Sequence, residues 1–307
     1  MTHGPMPTTL HTGPVTVTVP ATSANLGPGY DALGLALGLR DTVTAEVVDG
    51  PDVVHVTGEG AGEVPLDGTH LVLRAMRQAF EAMGCSVPGI RLSCANVIPH
   101  ARGLGSSSAA IVAGVCAARG LVGGGSLLID DDALFSLAAD IEGHPDNVAP
   151  AFYGGFTVAY ASDGRFRAAP ATVDPRVAAV AFVPPDPVRT EVARGLLPEV
   201  VSHADAAANA GRAALLVAAL GQRPELLLDA TEDRLHQHYR EPAMPATLAL
   251  VRSLRADGHA AFVSGAGPTV LVLTDSSSQP AVARLVPDGW AVHLLAVGTP
   301  GASVDVG

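Results

Sequence analysis

No lysine occurs among the 307 residues; all 18 basic side chains are arginines. The phosphate loop GxxxxGK[ST] and the protein-kinase fold each set a lysine against the transferring phosphates, so both phosphoryl-transfer classes are excluded. Schiff-base chemistry through lysine is excluded as well. A GC-rich coding sequence is the plain explanation of this bias. Cysteine is scarce: Cys85, Cys94 and Cys116 are widely spaced and form no CxxC pair. They read as reduced core residues of a cytosolic protein, not as a disulfide frame or a zinc site. Aromatics make up only 4%, so Ala, Val and Leu must build the core. Long apolar runs are missing too. The best stretch, Ala109 to Ala118, is too short to span a bilayer and is interrupted by Gly114. The leading MTHGPMPTTLHTGP has neither the basic nor the apolar region of a signal peptide.

What is present is apolar and acidic. A net charge of −12 makes the chain a poor partner for nucleic acid or an anionic membrane. An anionic ligand would need a local site made of backbone N–H groups or a few arginines. With 48% apolar and 16% charged residues the chain can bury a large core and is not disordered. Its length suits two packed domains, here divided as 1–165 and 166–307.

Residues 15–20, 42–48, 53–57, 90–94, 154–160 and 177–183 carry strand patterns, and residues 260–273 read as strand, glycine loop, strand. Helical spacing covers 71–83, 106–119, 130–141 and 204–220. ANLGPGYDALG reads as a glycine-rich loop, and EGHPDNVAP as a loop entering a short helix. The mixture gives an α+β chain with two layers in each half.

The strongest motif is the run from Pro99 to Ala110, PHARGLGSSSAA. Gly103 and Gly105 let the backbone approach a phosphate, and the helix that follows aims free N–H groups at it. Hydroxyls of Ser106, Ser107 and Ser108 add donors and a candidate Mg²⁺ ligand. Gly-x-Gly alone would suit an ordinary serine-capped loop; the whole string between a strand and a small-residue helix does not. Ser108 stands at the third glycine position, so the dinucleotide fingerprint is absent. No G-x-S-x-G nucleophile elbow occurs.

PHARGLGSSSAA resembles the second motif of the GHMP kinases. PATSANLGPGYDALGLAL (20–37) resembles their first motif in its homoserine kinase form, SGAGPTVLVL (264–273) the third, and EGHPDNVAPAFYGG (142–155) the segment between motifs. The four run in the family's order. The resemblance implies the GHMP kinase fold. Its N-terminal domain is like the second domain of ribosomal protein S5, and its C-terminal domain is ferredoxin-like. It implies transfer of phosphate from ATP, with Mg²⁺, to the hydroxyl of L-homoserine, giving O-phospho-L-homoserine for threonine synthesis in the cytoplasm.

By the same resemblance, ATP lies on Pro99, His100, Ala101, Arg102, Gly103, Leu104, Gly105, Ser106, Ser107, Ser108 and Ala109. Ser107 and Glu142 would hold the metal. Asn25, Asp31, His144, Asn147, Thr190, Arg194 and Arg240 would bind homoserine. Asp146 and Asn147 would stand at the reacting hydroxyl, and Gly265 and Gly267 would support the phosphate loop. Asn and Asp also suit plain turn chemistry in ANLGPGYD, and Arg240 alone reads equally as a surface arginine. His236 and His238 lack a third ligand and read as structural. A homodimer is compatible with the sequence but not specified by it. Two other readings stay open: another GHMP kinase acting on a different small alcohol, and a non-catalytic metabolite sensor on the same fold.

Overall fold

The computed structural model describes residues 9–307, so the first eight residues of the N-terminal segment lie outside it. The first half contains β1 (Val15–Asn25), β2 (Gly29–Val48), β3 (Val53–Gly58), α1 (Leu71–Ala82), β4 (Gly89–Asn96) and α2 (Ser106–Gly120). It continues with α3 (Gly125–Leu128), α4 (Asp131–Glu142), α5 (Val148–Tyr153), β5 (Phe156–Ser162) and β6 (Arg165–Ala171). The second half holds β7 (Val177–Val183), α6 (Thr190–Gly195), α7 (His203–Gly221), α8 (Leu227–Ala230) and α9 (Pro245–Ala256). It ends with β8 (Ala260–Val263), β9 (Val270–Asp275), α10 (Gln279–Ala283), β10 (Ala291–Ala296) and β11 (Ser303–Val306).

Among the described residues, β2 is the spine of a seven-stranded sheet. Between Gly29 and Ala45 it pairs with β1 through a ladder with two register shifts, Leu33 to Leu35 pair with β5, and its later part pairs with β4. β3 runs parallel to β4, with α1 as the crossover between them. The glycine-rich stretch expected to be a loop is mostly strand. Only Leu26 to Pro28 form the turn, because β2 begins at Gly29 and is held on both edges. The expected division at 165 falls at the start of β6, which pairs with β5 in this same sheet. β11 also returns to the first sheet, on the edge of β1.

The second sheet has the order β10-β7-β9-β8, all antiparallel. With its helical crossovers this is the βαββαβ ferredoxin-like pattern. β7 is buried at every position, which explains its unbroken apolar run VAAVAFV. Val180 and Phe182 face α9 and α10, while Val177, Ala179, Ala181 and Val183 join the larger core that includes β1, β2 and α2. One face of the second sheet therefore closes on the first half of the chain.

α2 is the central helix of that core, and its small residues have a steric reason. A Cβ on Gly114 would lie 2.6 Å from the carbonyl oxygen of Val72 and 2.8 Å from Ala75 Cβ in α1. Only glycine lets the two helices approach this closely. Gly114→Val is expected to lower the unfolding free energy by about 1–3 kcal/mol, the usual cost of overpacking. Urea unfolding measures this; a wild-type midpoint would contradict so tight a contact.

Candidate active site

The loop from Pro99 to Gly105 carries the chain from β4 into α2. Gly103 and Gly105 adopt φ of 76° and 71°, a region unfavourable to residues with a Cβ. Their surroundings enforce glycine as well. A Cβ on Gly103 would overlap the Ser264 carbonyl, and one on Gly105 would overlap the Thr22 hydroxyl. The first bond closing α2 runs from Ala109 N to Gly105 O. The N–H groups of Ser106, Ser107 and Ser108 thus lack intrahelical partners and sit at the positive end of the helix dipole.

Residues far away in sequence hold this loop. Ser264 Oγ donates to the Gly103 carbonyl at 2.6 Å and lies 2.8 Å from Ser23 Oγ. Gly265 N donates to Ala24 O at 3.1 Å, and Thr269 N donates to Arg102 O at 3.2 Å. Asn25 Nδ2 donates to Gly265 O at 2.8 Å, while its Oδ1 accepts from Asp31 N at 3.0 Å. Asn25 and Asp31 both have positive φ, 66° and 52°, which their short polar side chains tolerate.

Glu142 ends α4, and its carboxylate accepts from Ser107 Oγ at 2.7 Å and Ser108 Oγ at 2.8 Å. Burial raises its pKa, and the two hydroxyls and His144 oppose that rise. His144 Nδ1 lies 2.8 Å from Asp146 Oδ1, which also accepts from Asn147 N at 2.9 Å. Burial disfavours a charge on His144, yet the neighbouring Asp146 and Glu142 leave its pKa raised overall. Asn147 Oδ1 accepts from Thr22 Oγ1 at 2.8 Å.

At the other end, Arg194 makes a two-pronged ion pair with Asp31, at 2.8 and 3.2 Å, and reaches Tyr30 Oη at 3.1 Å. Arg240 differs. It is 1% exposed, and its Nη1 donates to Gly265 O at 3.0 Å and to His236 Nδ1 at 3.1 Å. Its Nε has no hydrogen-bond partner, and it forms no ion pair with a carboxylate among the described residues. Both arginines lie against Tyr30, with each guanidinium carbon 5.8 Å from the ring centroid. A buried cation without a counterion is costly unless a ligand supplies one.

Two cavities of about 320 Å³ each meet at Ala101, Ser106 and Ser107. One is charged, walled by Asn25, Gly105, Glu142, Asn147, Arg194 and Arg240 among others. The other is largely apolar, walled by Val43, Pro65, Leu71, Val72, Cys94 and Ala110. Against it His70 Nδ1 is buried with no partner. The glycine loop and the start of α2 form the shared wall between an apolar chamber and a charged one.

Comparison with known proteins agrees with this architecture. Residues 70–155 match the GHMP kinases N terminal domain, and residues 206–291 match GHMP kinases C terminal. Over 290 residues the chain is 57% identical to the homoserine kinase of Streptomyces avermitilis, covering 94% of this chain and 95% of that one. The chain belongs to the homoserine kinases of the GHMP family. The crystal structure of the homoserine kinase from Cytophaga hutchinsonii superposes with a TM-score of 0.82 at 26% identity, over 95% of this chain and 97% of that one. The GHMP fold reaches further. The mevalonate diphosphate decarboxylase of Staphylococcus aureus shares it, with a TM-score of 0.67 and 15% identity over 97% of this chain and 98% of that one.

Within this GHMP fold the expected site residues gather with some rearrangement. Thr190 opens α6 and lines the charged cavity with His144, Asp146 and Gly265. Asp31 stands behind Arg194 and does not line it. Gly267 is also off the wall, packed against Met244. Of the phosphate-loop residues, Leu104 and Ser108 are buried, and Ala109 faces the apolar cavity. Pro99 and Arg102 border a neighbouring groove, where Arg102 donates to the carbonyls of Pro184 and Pro185, and His100 lines both that groove and the apolar cavity. Thr22, Tyr30, His70 and His236 were not among the expected residues. Thr22 lies within the first motif but was given no role there, and no motif marks His70; packing brings both to the site.

Gly105→Val should abolish nucleotide binding while leaving a folded protein, because the new side chain would displace Thr22 and strain the loop. Titration of the folded variant with ATP checks this; unchanged affinity would remove the phosphate-loop assignment.

Proposed function

We propose that this chain transfers the γ-phosphoryl group of ATP to the hydroxyl of L-homoserine, giving O-phospho-L-homoserine for threonine synthesis in the cytoplasm. The observation that carries this reading is the pair of cavities joined at the phosphate loop. The apolar one suits an adenine, with the unpartnered His70 Nδ1 available to its polar edge. The free N–H groups at the start of α2 suit the triphosphate. The charged cavity suits a small zwitterion, with Arg240 as the cation that lacks a counterion.

A divalent cation fits the donors present. Ser107 and Glu142 offer hard oxygens within 2.7 Å of each other beside the phosphate loop. No cluster of three or more His, Cys, Asp or Glu forms a metal cage among the described residues. Mg²⁺ needs few protein ligands because phosphate and water complete its shell. When bound, it would neutralise charge on the transferring phosphates.

The protein's own work is positioning. Asn25, Arg194 and Arg240 orient the acceptor, and Arg suits its carboxylate because the guanidinium can donate two parallel hydrogen bonds. Asp31 is the proposed partner of the ammonium, with Arg194 released toward the carboxylate. Asn147, fixed by Thr22, faces the hydroxyl. Asp146 is 2% exposed and engaged by His144, so it reads as a positioning residue rather than a base. A loose phosphoryl-transfer transition state needs little nucleophile activation. The intact pair of Ser107 and Glu142 favours catalysis over a sensor, which has no use for it.

Glu142→Gln is expected to raise the Mg²⁺ requirement and lower kcat by a factor on the order of 10². ADP release followed against Mg²⁺ concentration measures both; a wild-type profile would assign the metal to another acid. Arg194→Leu and Arg240→Leu are each expected to raise the homoserine KM by roughly 10²-fold, in line with about 2–5 kcal/mol for a broken buried charge pair. ATP affinity should hardly move. A panel with homoserine, mevalonate, galactose and no acceptor tests the substrate itself: better turnover of an uncharged alcohol would overturn it.

A further inference from the structure

His236 is fully buried, yet both its ring nitrogens are engaged. It lies in the segment between α8 and α9, where the Asp233 carboxylate accepts from the backbone N–H groups of Leu235, His236 and Gln237 at 2.9, 3.1 and 2.8 Å. That clamp fixes the backbone from which the ring projects. Nε2 lies 2.7 Å from the carbonyl oxygen of Gly27, in the turn after β1. A carbonyl only accepts, so Nε2 carries the proton. Nδ1 lies 3.1 Å from Arg240 Nη1. A guanidinium only donates, so Nδ1 presents its lone pair. The two contacts together define a neutral ring in a single tautomer. Burial lowers its pKa, and the charge of Arg240 acts in the same direction against the opposing pull of Asp233. The Tyr30 ring packs on it with centroids 5.4 Å apart.

We infer that His236 is a positioning residue for the acceptor: a neutral hydrogen-bond acceptor that aims the Arg240 guanidinium without cancelling its charge. Arg240 has two protein acceptors on Nη1, His236 Nδ1 and the Gly265 carbonyl, and both are uncharged. A carboxylate in place of the imidazole would hold the guanidinium equally well but would neutralise it before any ligand arrived. The Nε2 contact adds a second function. It ties the aim of Arg240 to the turn that leads into Asp31, so both ends of the acceptor site share one buried ring. His236 itself does not line the cavity, so it acts only through Arg240 and Gly27.

This inference rests on Arg240 as the receiver of the acceptor's carboxylate, and the experiment separates the two. Asn and Asp have the same shape, and either can place an oxygen near the position of Nδ1. His236→Asn is expected to keep the homoserine KM within about threefold of wild type, while His236→Asp raises it about tenfold or more, as suits a hydrogen bond to a charged group that loses its ligand. The ATP KM should be unchanged in both. With 2-amino-1,4-butanediol, which lacks the carboxylate, the two variants should perform alike. A merely structural role would move ATP and both acceptors together, and would not distinguish Asn from Asp. Equal homoserine KM values for the two variants overturn the inference. If Arg240→Leu raises the homoserine KM but His236→Asp does not, only the role of His236 fails. If Arg240→Leu leaves it unchanged, the carboxylate assignment fails and this inference with it. Nitrogen-15 NMR of the wild type needs no variant: at neutral pH His236 should be neutral with its proton on Nε2, and an imidazolium or the other tautomer there overturns the proposal.

Discussion

The site depends on one close approach of backbone to backbone. Gly103 lies against the Ser264 and Gly267 carbonyls, where no side chain would fit. This contact brings the loop before α2 together with the glycine turn before β9. Ser23, Ala24 and Asn25 close the third side through their bonds to Ser264 and Gly265. The phosphate loop is thus wedged between the end of β1 and a segment from the second sheet. Its open glycine conformation is maintained by neighbours, not by its own propensity. The same wedge sets the α2 N-terminus between the two cavities.

An acidic protein without lysine offers anions two positively charged features here. The first is the uncapped start of α2, where backbone N–H groups concentrate a partial positive charge. Glu142 lies close to it, yet its carboxylate is taken up by Ser107 and Ser108. The second is a pair of arginines held in opposite ways. Arg194 is partnered by Asp31, and its charge is available to a ligand only if that pair opens. Arg240 is held by uncharged acceptors and keeps its charge throughout. Both guanidinium groups lie 5.8 Å from the centre of the Tyr30 ring, and both line the one cavity.

The fold alone does not select this chemistry. A decarboxylase acting on a diphosphate shares the architecture at 15% identity. In the present chain the charged cavity is walled by Arg194 and Arg240, with Asp31 behind Arg194. In the proposed reading the apolar cavity and the phosphate loop serve the nucleotide, and the segments around Asp31, Asn147, Arg194 and Arg240 serve the acceptor.

Much of this was legible in the residues. Glycines and serines in PHARGLGSSSAA announce a phosphate loop because close backbone approach and a free helix start demand them. Alternating valines announce β1, and VAAVAFV announces a strand buried on both faces. Other parts were hidden. β2 reads as a loop at its start because Asn, Gly and Asp mask a strand held on both edges. α6, β10 and β11 are short, β6 carries polar residues through its pattern, and α9 is marked only by Pro245 at its first turn and Gly258 just beyond its end. Thus the sequence by itself determined the family and the glycine loop that opens α2, since local backbone chemistry is written in residue type and spacing. Only the tertiary structure decided that Asp31 and Arg194 neutralise each other, that Arg240 is buried without a counterion, and that His236 is its neutral partner. Those are relations between side chains far apart in the chain, and charge pairing depends on distance in space.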